Sequence, residues 1–148
     1  MGQRHFSTAI VMLAVFSLTA ACDDGPSKEK SVTKVSYSGT FNTISGKLSD
    51  GSDFDGVAWW LPGAYRGNFC LQTSNAVCSG KFSARASRVI SGEFECSDMT
   101  TGSYRTERIE EGAFLEPVQA TGVLSDGRTS TAVFAPRQDG SGETLCFQ

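Results

Sequence analysis

The chain has 148 residues, 5 cysteines, a single histidine and a formal net charge of −3. That length holds one domain, and an acidic balance with no basic block excludes a nucleic-acid binder, because neutralising phosphates needs clustered Lys and Arg. With 39% hydrophobic and 20% charged residues, the composition is that of a folded chain rather than a disordered one.

Residues 1–21 read as a signal peptide. Arg4 and His5 give a positive start, and the run from Ala9 to Ala21 is almost wholly apolar. As a helix it spans about 20 Å, short of the roughly 30 Å hydrocarbon core of a bilayer. A short apolar run behind a positive start marks a secretory signal rather than a membrane span.

The stretch Leu18-Thr19-Ala20-Ala21-Cys22 resembles the lipobox of bacterial lipoproteins, with Thr19 where those proteins usually carry Leu. The resemblance implies cleavage after Ala21 and thioether lipidation of Cys22. The alternatives are a plain signal-peptide cut and an uncleaved anchor. An acylated Cys22 ties the chain to a lipid bilayer of the bacterial cell envelope. Asp23 resembles an inner-membrane retention signal, which favours the inner membrane facing the periplasm over the outer membrane. Residues 22–34, polar and broken by Gly25 and Pro26, then read as a flexible tether reaching about 20 Å.

Residues 35–148 form the folded domain. Apolar residues recur there with period 2, as in Val35, Tyr37 and Phe41, in Phe54, Ala58 and Trp60, and in Ile90, Gly92, Phe94 and Cys96. Such alternation marks strands with one buried face. Only Arg108–Pro117 leaves room for a short helical turn. Asp50-Gly51 and Asp126-Gly127 predict type I′ hairpins, and the stretches 73–76 and 97–102 predict longer turns. The phrases at 46–51 and 122–127 are nearly identical, either a duplication remnant or the same turn chemistry reached twice. The expected fold is all-β, a small antiparallel barrel or sandwich of about eight strands stapled by disulfides, with one aromatic per strand facing inward.

With Cys22 assigned to lipid, Cys70, Cys78, Cys96 and Cys146 remain, an even count that implies two disulfides in an exported chain. No Cys-x-x-Cys is present, and the sole histidine lies in the signal, so no metal site is expected. If residues 77–84 and 89–96 pair about a turn near Ser87, Cys78 falls opposite Cys96. Lys81 then faces Glu93 and Gly80 faces Phe94, both favourable cross-strand pairs. Cys70 is left for Cys146. The rival pairing, Cys70–Cys78 with Cys96–Cys146, stays open.

The segments Cys78-Ser79-Gly80-Lys81-Phe82 and Phe94-Glu95-Cys96-Ser97-Asp98 resemble a hairpin motif of small uncharacterised bacterial lipoproteins. Met99 and Thr101 depart from the Asp-Gly turn often found there. The resemblance implies a disulfide-bonded β fold in the envelope and carries no activity with it.

Little chemistry remains. No Gly-x-Ser-x-Gly elbow occurs, and the carboxylate pairs Asp53/Asp55 and Glu93/Glu95 read as solvated strand faces rather than acid–base pairs. The run Asp50–Gly56 fits a calcium loop poorly, since Gly51 falls where the first carboxylate belongs. Trp59, Tyr65 and Arg66, around a Pro-Gly loop, form a candidate binding patch, because these residue types dominate hot spots. Against it stands the option that Trp59 is covered in the fold. The expectation is a membrane-anchored bacterial lipoprotein with a non-enzymatic binding or envelope-structural domain. It has no cofactor and no metal, and its partner is an unknown protein or glycan. The alternative is an inhibitor of a lysozyme-like or other hydrolase.

Overall fold

The computed structural model describes residues 30–84, 88–107 and 116–148. The expected signal segment, Cys22, Asp23, the turn expected near Ser87 and most of the possible helical turn at 108–117 lie outside them. Nine strands follow one another: β1 (Val32–Leu48), β2 (Asp53–Trp60), β3 (Arg66–Thr73), β4 (Val77–Ala84), β5 (Ile90–Cys96), β6 (Thr101–Thr106), β7 (Val118–Leu124), β8 (Thr129–Phe134) and β9 (Gln138–Phe147). Every pairing is antiparallel, and β1 pairs with both β2 and β8, closing strands β1 to β8 into a barrel. Ile44 marks the closure, facing Gly56 on one side and Phe134 on the other.

The period-2 pattern follows from this closure, because each strand has one face inside and one outside. Ile44, Leu48, Phe54, Ala58, Phe69, Phe82, Ala120, Leu124 and Phe134 are buried in the interior. Large rings alternate with glycines around the wall. Phe69 faces Gly80, Gly80 faces Phe94, and Phe94 faces Gly102. A Cβ at Gly80 would strike the Phe69 ring, and one at Gly102 the Phe94 ring. In so narrow a barrel, Phe54, Phe69, Phe82, Phe94 and Tyr104 each lie beside a glycine of a neighbouring strand, which leaves the ring its room. The expectation of one inward aromatic per strand fails at β7, which carries no aromatic, and at β1. Phe41 lies on the outer side with Tyr37, their ring centroids 5.3 Å apart.

The first half of β1 does not belong to the barrel wall. Val32–Phe41 pairs with Gln138–Phe147 to make a two-stranded ribbon. The chain leaves the wall at Gly39, whose φ of +107° and close approach to the Trp60 carbonyl suit a residue without Cβ. The ribbon then crosses the outside of the barrel. Tyr37 stacks on Trp59 of β2, Cys146 is bonded to Cys70 of β3, and the Ser79 hydroxyl of β4 donates to the Phe147 carbonyl. Beyond the ribbon's start, Lys30 forms an ion pair with Glu95 of β5. The folded unit therefore starts before the expected boundary at residue 35. Residues 32–34, assigned to the tether, pair with β9.

The preferred cysteine pairing is the one present, Cys78–Cys96 and Cys70–Cys146. The register that argued for it holds, with Lys81 facing Glu93 and Gly80 facing Phe94. Strand parity puts the two bridges on opposite sides of the wall. Cys78 and Cys96 share the inward parity of Phe82 and Phe94 and pack with Ala76. Cys70 has the outward parity of its partner Val57, and both are buried only because the ribbon covers them.

Candidate functional site

One end of the barrel is ringed by the β1–β2, β3–β4, β5–β6 and β7–β8 turns. Three of them share one construction. Gly51 donates to the Leu48 carbonyl, Met99 to that of Cys96 and Gly127 to that of Leu124, at 2.9, 2.9 and 3.0 Å. The third loop residue has positive φ in each case, at Gly51, Met99 and Gly127. Asp50, Asp98 and Asp126 accept from the amide two residues on, at 2.9, 3.0 and 3.0 Å. These are three-residue loops closed by a left-handed residue, not the type I′ turns expected, which need positive φ at both central positions. Among the described non-glycine residues, positive φ occurs at Arg88 and Met99, so neither Asp50 nor Asp126 has it. The turn after Cys96 is no longer than its two equivalents. The stretch at 73–76 is shorter than expected, with the Thr73 amide bonded to the Ala76 carbonyl.

The turns lock to one another. Ser49, Ser97 and Ser125 accept from the amides of Thr129, Val77 and Thr101, each at 3.1 Å. Arg128 bonds Asp126 through Nε at 2.7 Å and Asp50 through Nη1 at 3.0 Å. Hydrogen bonds from Ser52, and then the Arg128 guanidinium, hold the Asp50 carboxyl down at about 2. The same guanidinium lowers Asp126. Asp50, first considered for a calcium loop, is thus engaged by Ser52 and Arg128. Asp53 of that loop pairs with Lys47.

Inside this ring lies a cavity of about 270 Å³. Ile44, Leu48, Phe54, Leu71, Leu124 and Ala132 line its walls, and Asp50, Ser74, Asn75, Asp98 and Arg128 stand at its mouth. Phe69, Tyr104 and Phe134 also line it. Tyr104 meets Phe69 edge-on at 5.1 Å and stacks on Phe134 at 5.8 Å, so the three form one aromatic layer across mid-barrel. The Tyr104 hydroxyl is buried and has no hydrogen-bond partner among the described residues. Burial pushes its ionisation above the ordinary tyrosine range. A buried phenol without a partner is costly, and tyrosines in such places ordinarily find one.

The expected patch is split. Tyr65 is 77% exposed and Arg66 is exposed, at the end of the barrel away from the cavity mouth. Trp59 lies on the outer face, as its parity with Asp53 and Asp55 requires, but it is half-buried under Tyr37, ring centroids 5.6 Å apart. The ribbon that covers it could not be placed from sequence, because nothing local says that residues 32–41 pair with the C-terminus. The cavity was missed for a related reason. Its walls are the inward residues already assigned to the core, and sequence does not show where a core stays unfilled. The alanines at 120 and 132 and the lone inward phenol were the available signal.

No protein-family model matches the chain, and no curated protein is significantly similar to it. Among solved structures the chain is similar to redesigned β-barrels. The barrel mFAP1, bound to DFHBI, has a TM-score of 0.51 at 14% identity over 66% of this chain and 93% of that one. The barrel mFAP0, also bound to DFHBI, has a TM-score of 0.50 at 14% identity over 66% and 96%. At such identities the likeness concerns the fold alone, a closed β-barrel.

Proposed function

We propose that this protein is a lipid-anchored binding module of the bacterial cell envelope, whose barrel holds one small apolar molecule without acting on it chemically. The cavity carries this reading. Small barrels either fill their interior with side chains or hold one small ligand, and this one leaves about 270 Å³ behind an aromatic layer. An engineered apolar cavity of about 150 Å³ suffices for benzene. The similar barrels mFAP1 and mFAP0 are each bound to a small molecule, DFHBI, which supports the reading by analogy of architecture. The lipobox-like stretch ending at Cys22 supports the anchor, with Asp23 favouring the inner membrane. The two disulfides suit an oxidising compartment.

A second reading rests on the far end of the barrel. Leu61 and Tyr65 are 68% and 77% exposed there, beside Arg66, and would suit a protein or glycan partner, a lysozyme-like hydrolase included. The test is to purify the protein from membranes and extract it with organic solvent. A stoichiometric small apolar molecule is expected, together with loss of the protein from the membrane fraction on Cys22→Ser. An empty extract with an unfilled cavity, or a Cys22→Ser protein that fractionates like wild type, would contradict it.

A further inference from the structure

The tether leaves the folded unit at a fixed place, and that place is on the cavity side. The ribbon starts its crossing at Gly39, where a Cβ would meet the Trp60 carbonyl and Pro62 at the far end of the barrel. It passes Trp59, Cys70 and Ser79 in turn. It ends at Lys30, paired with Glu95, the residue before Cys96, where a mouth turn begins. The Cys70–Cys146 bridge holds it there. Cys22 stands eight residues before Lys30, a reach of at most about 28 Å fully extended.

The tip of that same mouth turn carries Met99, 87% exposed. Its φ of +67° is a conformation that glycine takes in both equivalent turns. A methionine there bears backbone strain and exposes its side chain to water, on a rim otherwise made of Asp, Ser, Asn and Arg. Both features are explained if the side chain meets an apolar phase.

Resting on the reading that Cys22 is acylated and the cavity binds, we propose that the mouth faces the anchoring bilayer. Met99 enters the bilayer interface, and the cavity takes its ligand from that membrane. The ligand class follows from the lining. It is small and apolar, as the Ile44, Leu48, Phe54, Leu71, Leu124 and Ala132 walls are. It is not anionic, because Asp50 and Asp98 stand at the mouth while the guanidinium of Arg128 there is already held by Asp50 and Asp126. The Leu61–Arg66 end then points away from the membrane.

The lipidated mature protein, reconstituted in phosphatidylcholine vesicles containing a photoactivatable phosphatidylcholine, tests this. After irradiation, lipid adducts are mapped by mass spectrometry, and binding of 2-naphthol is measured on the same sample. Adducts on the 97–100 turn, with 2-naphthol bound, are expected. Met99→Gly should lose those adducts several-fold and still bind 2-naphthol. Adducts confined to 61–66, or none, would overturn the orientation. If such a sample still binds 2-naphthol, the cavity reading survives its fall. A sample that binds no 2-naphthol overturns both.

Discussion

Met99 holds in the β5–β6 turn the left-handed backbone position that Gly127 holds in the β7–β8 turn, at φ +67° and +89° respectively. The surrounding hydrogen bonds are the same, so the two turns differ chiefly in what that position costs. A side chain in the left-handed region costs roughly 1–2 kcal/mol, part of which glycine gives back through its looser unfolded chain. Met99→Gly should therefore stabilise the protein by about 0.5–1 kcal/mol, read as a higher urea midpoint at unchanged m. A lower midpoint would mean that the Met99 side chain makes a contact worth more than the strain.

Tyr104 is the inverse case, a polar group left unpaired inside. Tyr104→Phe removes a buried hydroxyl without a partner and should raise stability by about 1 kcal/mol. The pH dependence has a definite sign. Burial raises the tyrosine's ionisation in the folded state, so the folded chain keeps its proton where the unfolded chain loses it. Stability is full below the unfolded value of about 10 and falls as pH rises beyond it. Tyr104→Phe should flatten that alkaline loss. An equal loss in both proteins would assign it to other groups.

The mouth turns respond at the acid end. Asp50 is held down to about 2, first by Ser52 and then by Arg128. Its contribution is therefore present above the ordinary carboxylate value and disappears only as pH falls through about 2. Ser52→Ala and Arg128→Ala should each raise the Asp50 titration midpoint, read from carboxyl chemical shifts. A midpoint unchanged by either substitution would remove that partner from the account.

The two disulfides should differ in what they hold. Cys78–Cys96 closes a short loop inside the wall, and its removal should cost about 3 kcal/mol. Cys70–Cys146 spans a separation of 76 residues, for which the chain-entropy estimate is about 4.5 kcal/mol. Replacing both Cys70 and Cys146 by Ala should free the ribbon while the barrel persists. The expected readout is altered tryptophan fluorescence, as Tyr37 leaves Trp59, with an unchanged Cys78–Cys96 peptide in a non-reducing map. Unchanged fluorescence would show that the ribbon stays without its staple.

Much of the barrel was legible in the sequence. Alternation located the strands, and a single hairpin register placed Cys78 against Cys96 and Gly80 against Phe94, because cross-strand pairing follows from parity and turn position alone. Three things were not legible. The ribbon depends on pairing Val32 with Phe147, a contact between distant parts of the chain that no local pattern encodes. The kinship of the three mouth turns was hidden by Met99, since a turn is recognised by its glycine and here a methionine takes the glycine's conformation. The cavity was hidden because Phe54, Phe69 and Phe134 look the same in sequence whether or not they fill the space between them.

The cavity's capacity to bind is the central claim, and a titration tests it most directly. Added to the mature chain carrying Cys22→Ser, 2-naphthol should bind saturably with one molecule per barrel. Ala132→Leu, which places a larger side chain in the cavity wall, should abolish that binding while both disulfides and the β spectrum are retained. No saturable binding to the parent chain, or binding that Ala132→Leu leaves intact, would contradict the account.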